Sequence, residues 1–393
     1  MRWTFRRLFL GVLALGMALA QGDHGQHGAE EVARRLVVAD AKAPVVYVLD
    51  LKEGKEVARF SVPSPVDRPG LLRALPGGQY ALAVHRNSAH LSFIWGGLGL
   101  VDHGDHQDLR LEAPYVAATL ATGPKPTHTA VQGHHLAVFH DGDGTVALFD
   151  LRRLGLDWRF RQIPTGRPDH GTLTPLGDLL LVGGSESGRL EVYTLEGRRV
   201  LTLPEACPGL HGQAVVGRFA AFGCGDGLLL VEGVGQGVRS RKIPNPPGAP
   251  QGARVGRLVP LPEVGLMAGN FGQGLLFLRP ETGEVWPLAL PHRPLFFMPE
   301  EGRRVLVISA EGRLHRVDPL RGEVGPGLPV IAPVPQGGAT PPLAVGHGVA
   351  YVADPAQGVV VEVDLKEFQA KRRFAVGGAP AALALLEVKG VEH

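Results

Sequence analysis

Short apolar segments separated by turn residues recur along nearly the whole chain. One stretch reads His170-Gly-Thr-Leu-Thr, Leu179-Leu-Leu-Val-Gly-Gly, Gly188-Arg-Leu-Glu-Val-Tyr-Thr-Leu and Arg199-Val-Leu-Thr-Leu-Pro. Short apolar runs bounded by Gly, Pro, Asp and Ser are typical of β-strands. Because the chain shows no convincing helical pattern, we predict an all-β protein.

This four-strand unit repeats with a period near 40 residues, and such a period is typical of propeller blades. The first strand of each copy is the innermost, and these strands begin near Gly70, His128, His170, His211, Gly256, Pro294, Pro342 and Pro380. Eight copies predict one eight-bladed β-propeller over residues 34–393. Seven blades are the alternative if the degenerate region 322–340 is not a blade.

The two ends of the repeat array complement each other. The copy that begins near Pro380 has only an innermost strand, whereas the copy near residue 35 begins without one. We therefore expect the N- and C-terminal strands to pair and close the ring. Closure removes the exposed sheet edges that an open array would leave.

Composition and charge narrow the function. The chain has 55 Gly and 33 Pro with only 6% aromatic residues, as expected for strands joined by many turns. Its net charge is +2 on 393 residues, without a basic stripe. Nucleic acid and anionic membranes are therefore not expected partners.

The first twenty residues have the layout of a cleavable signal peptide. Arg2, Arg6 and Arg7 precede an apolar stretch from Leu8 to Leu19, and Ala18-Leu19-Ala20 matches a cleavage site. We predict export without stable membrane insertion, with an uncleaved anchor as the alternative. Residues 21–33 are expected to form a flexible tail, in which His24 and His27 are candidates for loose metal capture.

The chain contains two cysteines, Cys207 and Cys224. In an oxidising compartment they are expected to form a disulfide, because a hairpin turning at Gly217-Arg218 brings them level with each other. The alternative is a pair of thiolate metal ligands beside His211.

Three histidines fall at the same point of three successive repeats. They end the strings Lys-Pro-Thr-His128, Arg-Pro-Asp-His170 and Pro-Gly-Leu-His211, and are spaced 42 and 41 residues apart. Equivalent positions at the start of neighbouring innermost strands bring side chains to one end of the channel. Neutral imidazoles are preferred ligands of late first-row metals, so we predict a metal site here.

The segment Asp102-His103-Gly104-Asp105-His106 adds further candidate ligands. We predict that this turn leans over the channel beside His128, so that His103, Asp105 and His106 join the site, with His211 at its periphery. His140, at the end of the hairpin entered by His128, is a candidate for accessory metal capture.

Enzyme motifs are weak in this chain. The string Gly184-Ser-Glu-Ser-Gly188 nearly matches a nucleophile elbow, but no helix follows it. We therefore expect no enzyme. Two alternatives stay open: a secreted metallo-hydrolase or lactonase that uses the same histidine pocket, and an interaction propeller with incidental histidines.

Several motifs together resemble a known family. They are Asp-His103-Gly-Asp-His106, Gly-x-Lys-Pro-x-His128, Phe139-His140-Asp-Gly-Asp-Gly, Asp169-His170-Gly, Cys207-Pro-Gly-Leu-His211-Gly and Phe222-Gly-Cys224-Gly-Asp-Gly. The pattern is similar to that of the periplasmic zinc metallochaperones of the AztD family. The resemblance implies a monomeric periplasmic propeller that binds zinc at its channel. It also implies transfer of that zinc to the solute-binding protein of a zinc ABC transporter.

Overall fold

The computed structural model describes residues 30–391. Their strands form eight sheets, and the innermost strands of neighbouring sheets contact one another around a ring. The predicted eight-bladed β-propeller is confirmed. Within the described residues the helical elements are two short 3-10 turns, Leu151–Arg153 and Pro262–Val264, and no helix is long and apolar enough to cross a membrane.

The first three blades contain the strands that precede residue 165. Blade 1 comprises β1 (Glu30–Asp40), β2 (Val45–Asp50), β3 (Lys55–Ser61) and the last strand of the chain, β35 (Pro380–Val391). Blade 2 comprises β4 (Leu72–Ala74), β5 (Tyr80–His85), β6 (His90–Trp95) and β9 (Tyr115–Ala121). Between β6 and β9 the chain inserts a hairpin of β7 (Leu98–Asp102) and β8 (Gln107–Leu111), which joins the sheet of blade 1 beside β35. Blade 3 comprises β10 (Pro126–Gln132), β11 (His135–His140), β12 (Thr145–Asp150) and β13 (Phe160–Pro164).

The other five blades follow the repeat. Blade 4 comprises β14 (Gly171–Leu176), β15 (Leu179–Gly184), β16 (Leu190–Thr194) and β17 (Arg199–Thr202). Blade 5 comprises β18 (His211–Val216), β19 (Phe219–Cys224), β20 (Gly227–Val234) and β21 (Gly237–Pro244).

Blade 6 comprises β22 (Leu258–Leu261), β23 (Leu266–Phe271), β24 (Gly274–Arg279) and β25 (Glu284–Ala289). Blade 7 comprises β26 (Pro294–Glu300), β27 (Arg304–Ser309), β28 (Arg313–Asp318), β29 (Glu323–Val324) and β30 (Leu328–Pro329). Blade 8 comprises β31 (Leu343–Gly346), β32 (Val349–Asp354), β33 (Val359–Asp364) and β34 (Gln369–Ala375).

The ring closes through β1 and β35, as predicted. These antiparallel strands pair from Glu30 opposite Val391 to Asp40 opposite Pro380. Residues 30–33, which the sequence places in the flexible tail, are part of β1 instead. They form this strand because they pair with residues 388–391 of the long β35. The predicted signal peptide and the pair His24 and His27 lie outside the described residues.

The contacts at the two ends of β5 in blade 2 distinguish the two faces of the propeller. Arg86, which follows β5, donates a hydrogen bond to Thr127 at the start of β10 (2.8 Å). We call this end, where the innermost strands begin, the front face. At the other end of β5, Gln79 donates to the Leu98 carbonyl of the inserted hairpin (2.8 Å). This end is the back face, and β35 ends there with Val391 paired to Asp108.

Apolar side chains fill the spaces between neighbouring blades. Phe93 on blade 2 is fully buried, and its ring centroid lies 5.4 Å from that of Phe149 on blade 3. Trp158 packs against the same Phe93 ring at 4.9 Å. Such inter-blade packing holds the innermost strands in fixed positions, so that side chains at their starts meet reproducibly.

Candidate metal site at the mouth of the channel

Three imidazoles converge at the front face. His128 lies on β10, His170 directly precedes β14, and His211 begins β18. The Nε2 atom of His170 is 3.3 Å from Nε2 of His128 and 3.1 Å from Nε2 of His211. One ligand atom from each of the three lies within 4.8 Å of the others, and all three side chains are half-buried. We call this group the histidine trio.

Local irregularities of the strands aim these side chains. The pairing of β10 with β11 shifts between Pro126 and Thr129, and the pairing of β18 with β19 shifts between His211 and Gln213. Each shift is a β-bulge, which twists a strand and redirects the side chain at that point. The bulges therefore turn His128 and His211 out of the sheet face and toward the channel mouth.

Gly212 allows blade 5 to approach blade 6 closely. Its φ is +70°, and a Cβ atom there would lie 2.8 Å from the carbonyl oxygen of Gly256. The same carbonyl oxygen accepts a hydrogen bond from Nδ1 of His211 (2.5 Å). Because a carbonyl can only accept, the proton of neutral His211 resides on Nδ1, and Nε2 carries a lone pair.

Asp141 fixes His170 in the same tautomer. Nδ1 of His170 donates to Oδ2 of Asp141 (2.8 Å), and Arg86 lies 3.1 Å from the same carboxylate oxygen. Burial alone raises the pKa of Asp141, but its hydrogen bonds from His170 and Thr127 and the charge of Arg86 outweigh this effect and hold the pKa below its usual value. The ionised carboxylate therefore keeps the His170 proton on Nδ1 and leaves Nε2 free to bind a metal.

The facing lone pairs indicate a cation site. With both Nδ1 protons committed, the Nε2 atoms of neutral His170 and His211 face each other at 3.1 Å with no proton between them. Two lone pairs at this distance repel unless a cation lies between them. Zn–N bonds of about 2.0–2.1 Å at tetrahedral angles separate ligand nitrogens by about 3.3 Å. The observed separations fit the donor set of such an ion.

Burial keeps His128 and His211 in their neutral form. The pKa of His128 is lowered to about 3, mainly because its surroundings exclude water, and also because of the neighbouring His211 and His170. Burial likewise lowers the pKa of His211, although its hydrogen bond to Gly256 partly offsets this. Only neutral imidazole binds a metal, so these environments favour a ligand over a protonated side chain.

The predicted position of the segment around residues 102–108, which we call the hairpin tip, is wrong. It is the turn between β7 and β8, inserted after β6, and it therefore lies at the back face. The length of β5 separates it from the trio, and a strand of six residues spans about 20 Å. The predicted combination of this turn with His128 and His170 does not form, and the trio is completed by His211 instead.

The candidates at the hairpin tip contact one another. The rings of His103 and His106 stack with centroids 5.3 Å apart. Asp108 lies 3.0 Å from Nε2 of His103 and 3.1 Å from Nε2 of His106. Nδ1 of His106 is also 2.7 Å from Asp105. These imidazoles are thus paired with carboxylates within one exposed turn.

His140 ends β11, the strand that pairs with the strand of His128, but its side chain is held within the blade. Its Nε2 is 3.0 Å from the hydroxyl of Thr122, and its Nδ1 is 3.1 Å from the hydroxyl of Thr145. The side chain is fully buried. Both ring nitrogens therefore have structural partners, and His140 positions the strand end from which Asp141 reaches His170.

The two cysteines form the predicted disulfide. Both are fully buried, and the bond joins the loop before β18 to the end of β19. The alternative of a thiolate metal pair is wrong, because each sulfur is bonded to the other. Gly223, next to Cys224, pairs with His211, so the disulfide holds the segment that presents this histidine.

Sequence reasoning missed Asp141 and the Gly256 carbonyl as partners of the trio. Asp141 directly follows His140, the last residue of β11. Its position at the front end of this strand was the sequence feature that could have indicated a contact with the trio. The Gly256 carbonyl could not be found from residue type, because it is a backbone group brought near by the positive φ of Gly212.

Comparisons with known proteins agree with this site. The zinc chaperone AztD of Citrobacter koseri is 28% identical over 377 residues, which cover 92% of this chain and 88% of that protein. A crystal structure of Citrobacter koseri AztD superposes with a TM-score of 0.82 at 26% identity, covering 92% of this chain and all of that one. A structure of its apo form gives a TM-score of 0.81 at 26% identity, with the same coverage.

A more distant likeness concerns the fold alone. Dihydro-heme d1 dehydrogenase NirN is 14% identical with a TM-score of 0.57, over 89% of this chain and 74% of that one. No family model matches the sequence. The resemblance drawn from the histidine and cysteine motifs is confirmed: the chain is similar to the zinc chaperone AztD over 92% of its length.

Proposed function

We propose that this protein is a zinc chaperone that carries Zn²⁺ on His128, His170 and His211. The observation that carries the proposal is the approach of the Nε2 atoms to 3.1 and 3.3 Å while the Nδ1 protons of His170 and His211 are committed elsewhere. Zinc is here the cargo. The similarity to a protein named as a zinc chaperone supports the same conclusion.

The trio supplies three of the four ligands that zinc usually takes in proteins. Sites with three protein ligands keep one position for water or an incoming group. The His170 side chain is 37% exposed, so this position is accessible from the front face. A docked partner can add its own ligand there before the trio releases the ion, which makes transfer a stepwise ligand exchange.

Asp141 influences the zinc affinity of the trio through His170. Its carboxylate accepts a hydrogen bond from Nδ1 of His170 and so fixes the tautomer and orientation of that imidazole, without being a ligand itself. A neutral three-histidine set with one carboxylate behind it has less negative charge than a thiolate site. This charge is suited to a carrier that must also release zinc.

We infer that the recipient is the solute-binding protein of a zinc ABC transporter in the periplasm. Residues 1–20 have the layout of a signal peptide, and the Cys207–Cys224 disulfide is typical of proteins in oxidising compartments. The front face, where the trio is exposed, is then the surface that meets the recipient. His103, Asp105 and His106 at the back face, and His24 and His27 in the N-terminal segment, are secondary candidates for capturing zinc.

The test is a transfer experiment with purified proteins. Protein loaded with one equivalent of zinc is mixed with the apo solute-binding protein, the two are separated, and zinc is measured in each. We expect zinc to move to the solute-binding protein faster than from a chelator of equal affinity. The His128→Ala variant should retain no zinc on separation, whereas a variant at exposed His347 should behave as wild type.

Two outcomes would contradict the proposal. Retention of tight stoichiometric zinc by the His128→Ala variant would exclude the trio as the carrier site. Turnover of lactones or esters by the zinc-loaded protein, without transfer, would favour a hydrolase that uses the open position to activate water.

A further inference from the structure

Two arginines on opposite blades lie close to residues that neighbour or bind the histidine trio. Arg73 is on β4 of blade 2, and Arg257 directly precedes β22 of blade 6, so they lie four blades apart in a ring of eight. Arg73 donates from Nε to the hydroxyl of Thr129 (3.0 Å), the residue after His128. Arg257 follows Gly256, whose carbonyl accepts from His211.

Within residues 30–391, neither guanidinium has an anionic partner. Among residues 30–391 the groups that accept from Arg73 are the hydroxyl and carbonyl of Thr129. Arg257 donates from Nη2 to the thioether sulfur of Met298 (3.3 Å), a weak acceptor, and its guanidinium carbon lies 4.2 Å from the ring centroid of Phe296. The Nε of Arg257 is buried and has no hydrogen-bond partner at all.

Such an arrangement is costly without a counter-ion. A half-buried guanidinium loses part of its hydration, and a ring face or a thioether compensates for this loss less well than an anion does. Burial and, to a smaller extent, the charge of Arg73 together lower the pKa of Arg257 to about 10. The guanidinium still stays protonated at neutral pH, so the channel holds two positive charges that repel each other.

The remaining polar groups of this layer also present donors. The Thr172 hydroxyl donates to Oε1 of Gln213 (2.9 Å), which directs the amide NH₂ of Gln213 away from that contact. Thr172 and Gln213 each lie two residues after a trio histidine, and therefore at the same depth in the channel. The layer thus combines two guanidinium groups and an amide NH₂, and none of these groups contacts a carboxylate of the described residues.

We propose that Arg73 and Arg257 form an anion site inside the channel, which binds a small inorganic anion such as chloride or phosphate. The free N–H groups of the two planar forks suit a tetrahedral oxyanion or a halide held between them.

The experiment measures thermal unfolding of the full-length, metal-free protein in different sodium salts. Gluconate, a bulky and weakly coordinating anion, is compared with chloride and with phosphate at equal ionic strength. We expect chloride or phosphate to raise the Tm of the wild type in a saturable manner, because an anion that binds only the folded state stabilises it. The larger rise identifies the halide or the oxyanion as the preferred ligand.

Variants test whether the arginines are responsible. Arg257→Gln and Arg73→Gln should each lose most of the anion-dependent rise in Tm. In gluconate the Arg257→Gln variant should be at least as stable as the wild type, because it lacks the unpaired charge. Arg110→Gln, which removes an exposed arginine of the inserted hairpin, is the matched control and should keep the wild-type response.

A second measurement serves if one variant folds poorly. Line broadening in the chlorine or phosphorus NMR signal of the anion reports binding directly, and it should decrease in whichever arginine variant is folded. An equal rise in Tm in the wild type and both arginine variants, or no line broadening with the wild type, would overturn the anion site. Because no zinc is present, failure here leaves the proposed zinc function untouched.

Discussion

Two histidine-containing regions lie at opposite ends of the propeller, and their ring nitrogens have different partners. In the trio, His170 and His211 donate from Nδ1 to Asp141 and to a backbone carbonyl, and their Nε2 atoms face each other. At the hairpin tip, the Nε2 atoms of His103 and His106 instead contact Asp108. Histidine density alone therefore does not identify a metal site; the direction in which the free lone pairs point does.

The largest expected effect is the loss of a trio histidine. His170→Ala removes the imidazole that lies within 3.3 Å of both others. We expect the zinc dissociation constant to rise by more than about 100-fold, beyond the range typical for loss of an outer partner. Competition with a chromogenic chelator measures it. An unchanged constant in a folded variant would show that the trio is not the tight site.

A smaller loss of zinc affinity is expected when Asp141, which orients His170, is replaced. Asp141→Asn keeps the shape of the side chain but removes the charge that holds the His170 proton on Nδ1. We expect zinc affinity to fall by about 10–100-fold with the fold intact. The same chelator competition measures the change, and circular dichroism checks the fold. Wild-type affinity would mean that the carboxylate serves only Arg86.

His85 shows a third use of histidine, as a buried structural group. It is fully buried, with Nδ1 2.9 Å from the Ser64 carbonyl and Nε2 2.9 Å from the Ser92 hydroxyl. Burial lowers its pKa from 6.5 to about 4. The unfolded chain therefore binds the proton more readily than the folded one between these values, and stability that is complete above pH 6.5 is lost as the pH falls toward 4.

The expected loss from this group is about 2 kcal/mol between pH 7.5 and pH 5. Urea unfolding at a series of pH values measures it. The His85→Gln variant should have a flatter pH dependence of the free energy of unfolding than the wild type. If the two dependences are parallel, His85 does not carry this effect.

The smallest effect is expected at the hairpin tip. The double variant His103→Ala/His106→Ala removes two imidazoles at the back face, far from the trio. We expect the affinity of the tight zinc site to change by less than about twofold, within the range of surface substitutions. Isothermal titration calorimetry gives both affinity and stoichiometry. A loss comparable with that of His170→Ala would place the tight site at the back face.

Sequence reasoning succeeded where the repeat applied and failed where it was interrupted. The period gave the eight innermost strands and the closure by β35, because each blade repeats the same apolar pattern. It also placed His128, His170 and His211 at equivalent points. The hairpin of β7 and β8 has no counterpart in the other blades, so no repeat position indicated on which face its tip lies.

The predicted peripheral position of His211 is also wrong, for a related reason. Its neighbouring disulfide favoured a peripheral position, but the approach of blade 5 to blade 6 at Gly212 brings its Nε2 within 3.1 Å of His170. Inter-blade distances depend on backbone conformation at single residues. The sequence shows a glycine there, but not which carbonyl it allows the strand to approach.

The closing pair of strands has a practical consequence for experiments at surfaces. Glu30 lies opposite Val391 at the back face, whereas the trio lies at the front face. A chip or bead attached through either end of the described chain therefore holds the propeller with its histidine-bearing mouth directed outward. A tethered molecule presents the same face to every protein that flows past it, so docking kinetics can be recorded on an oriented layer.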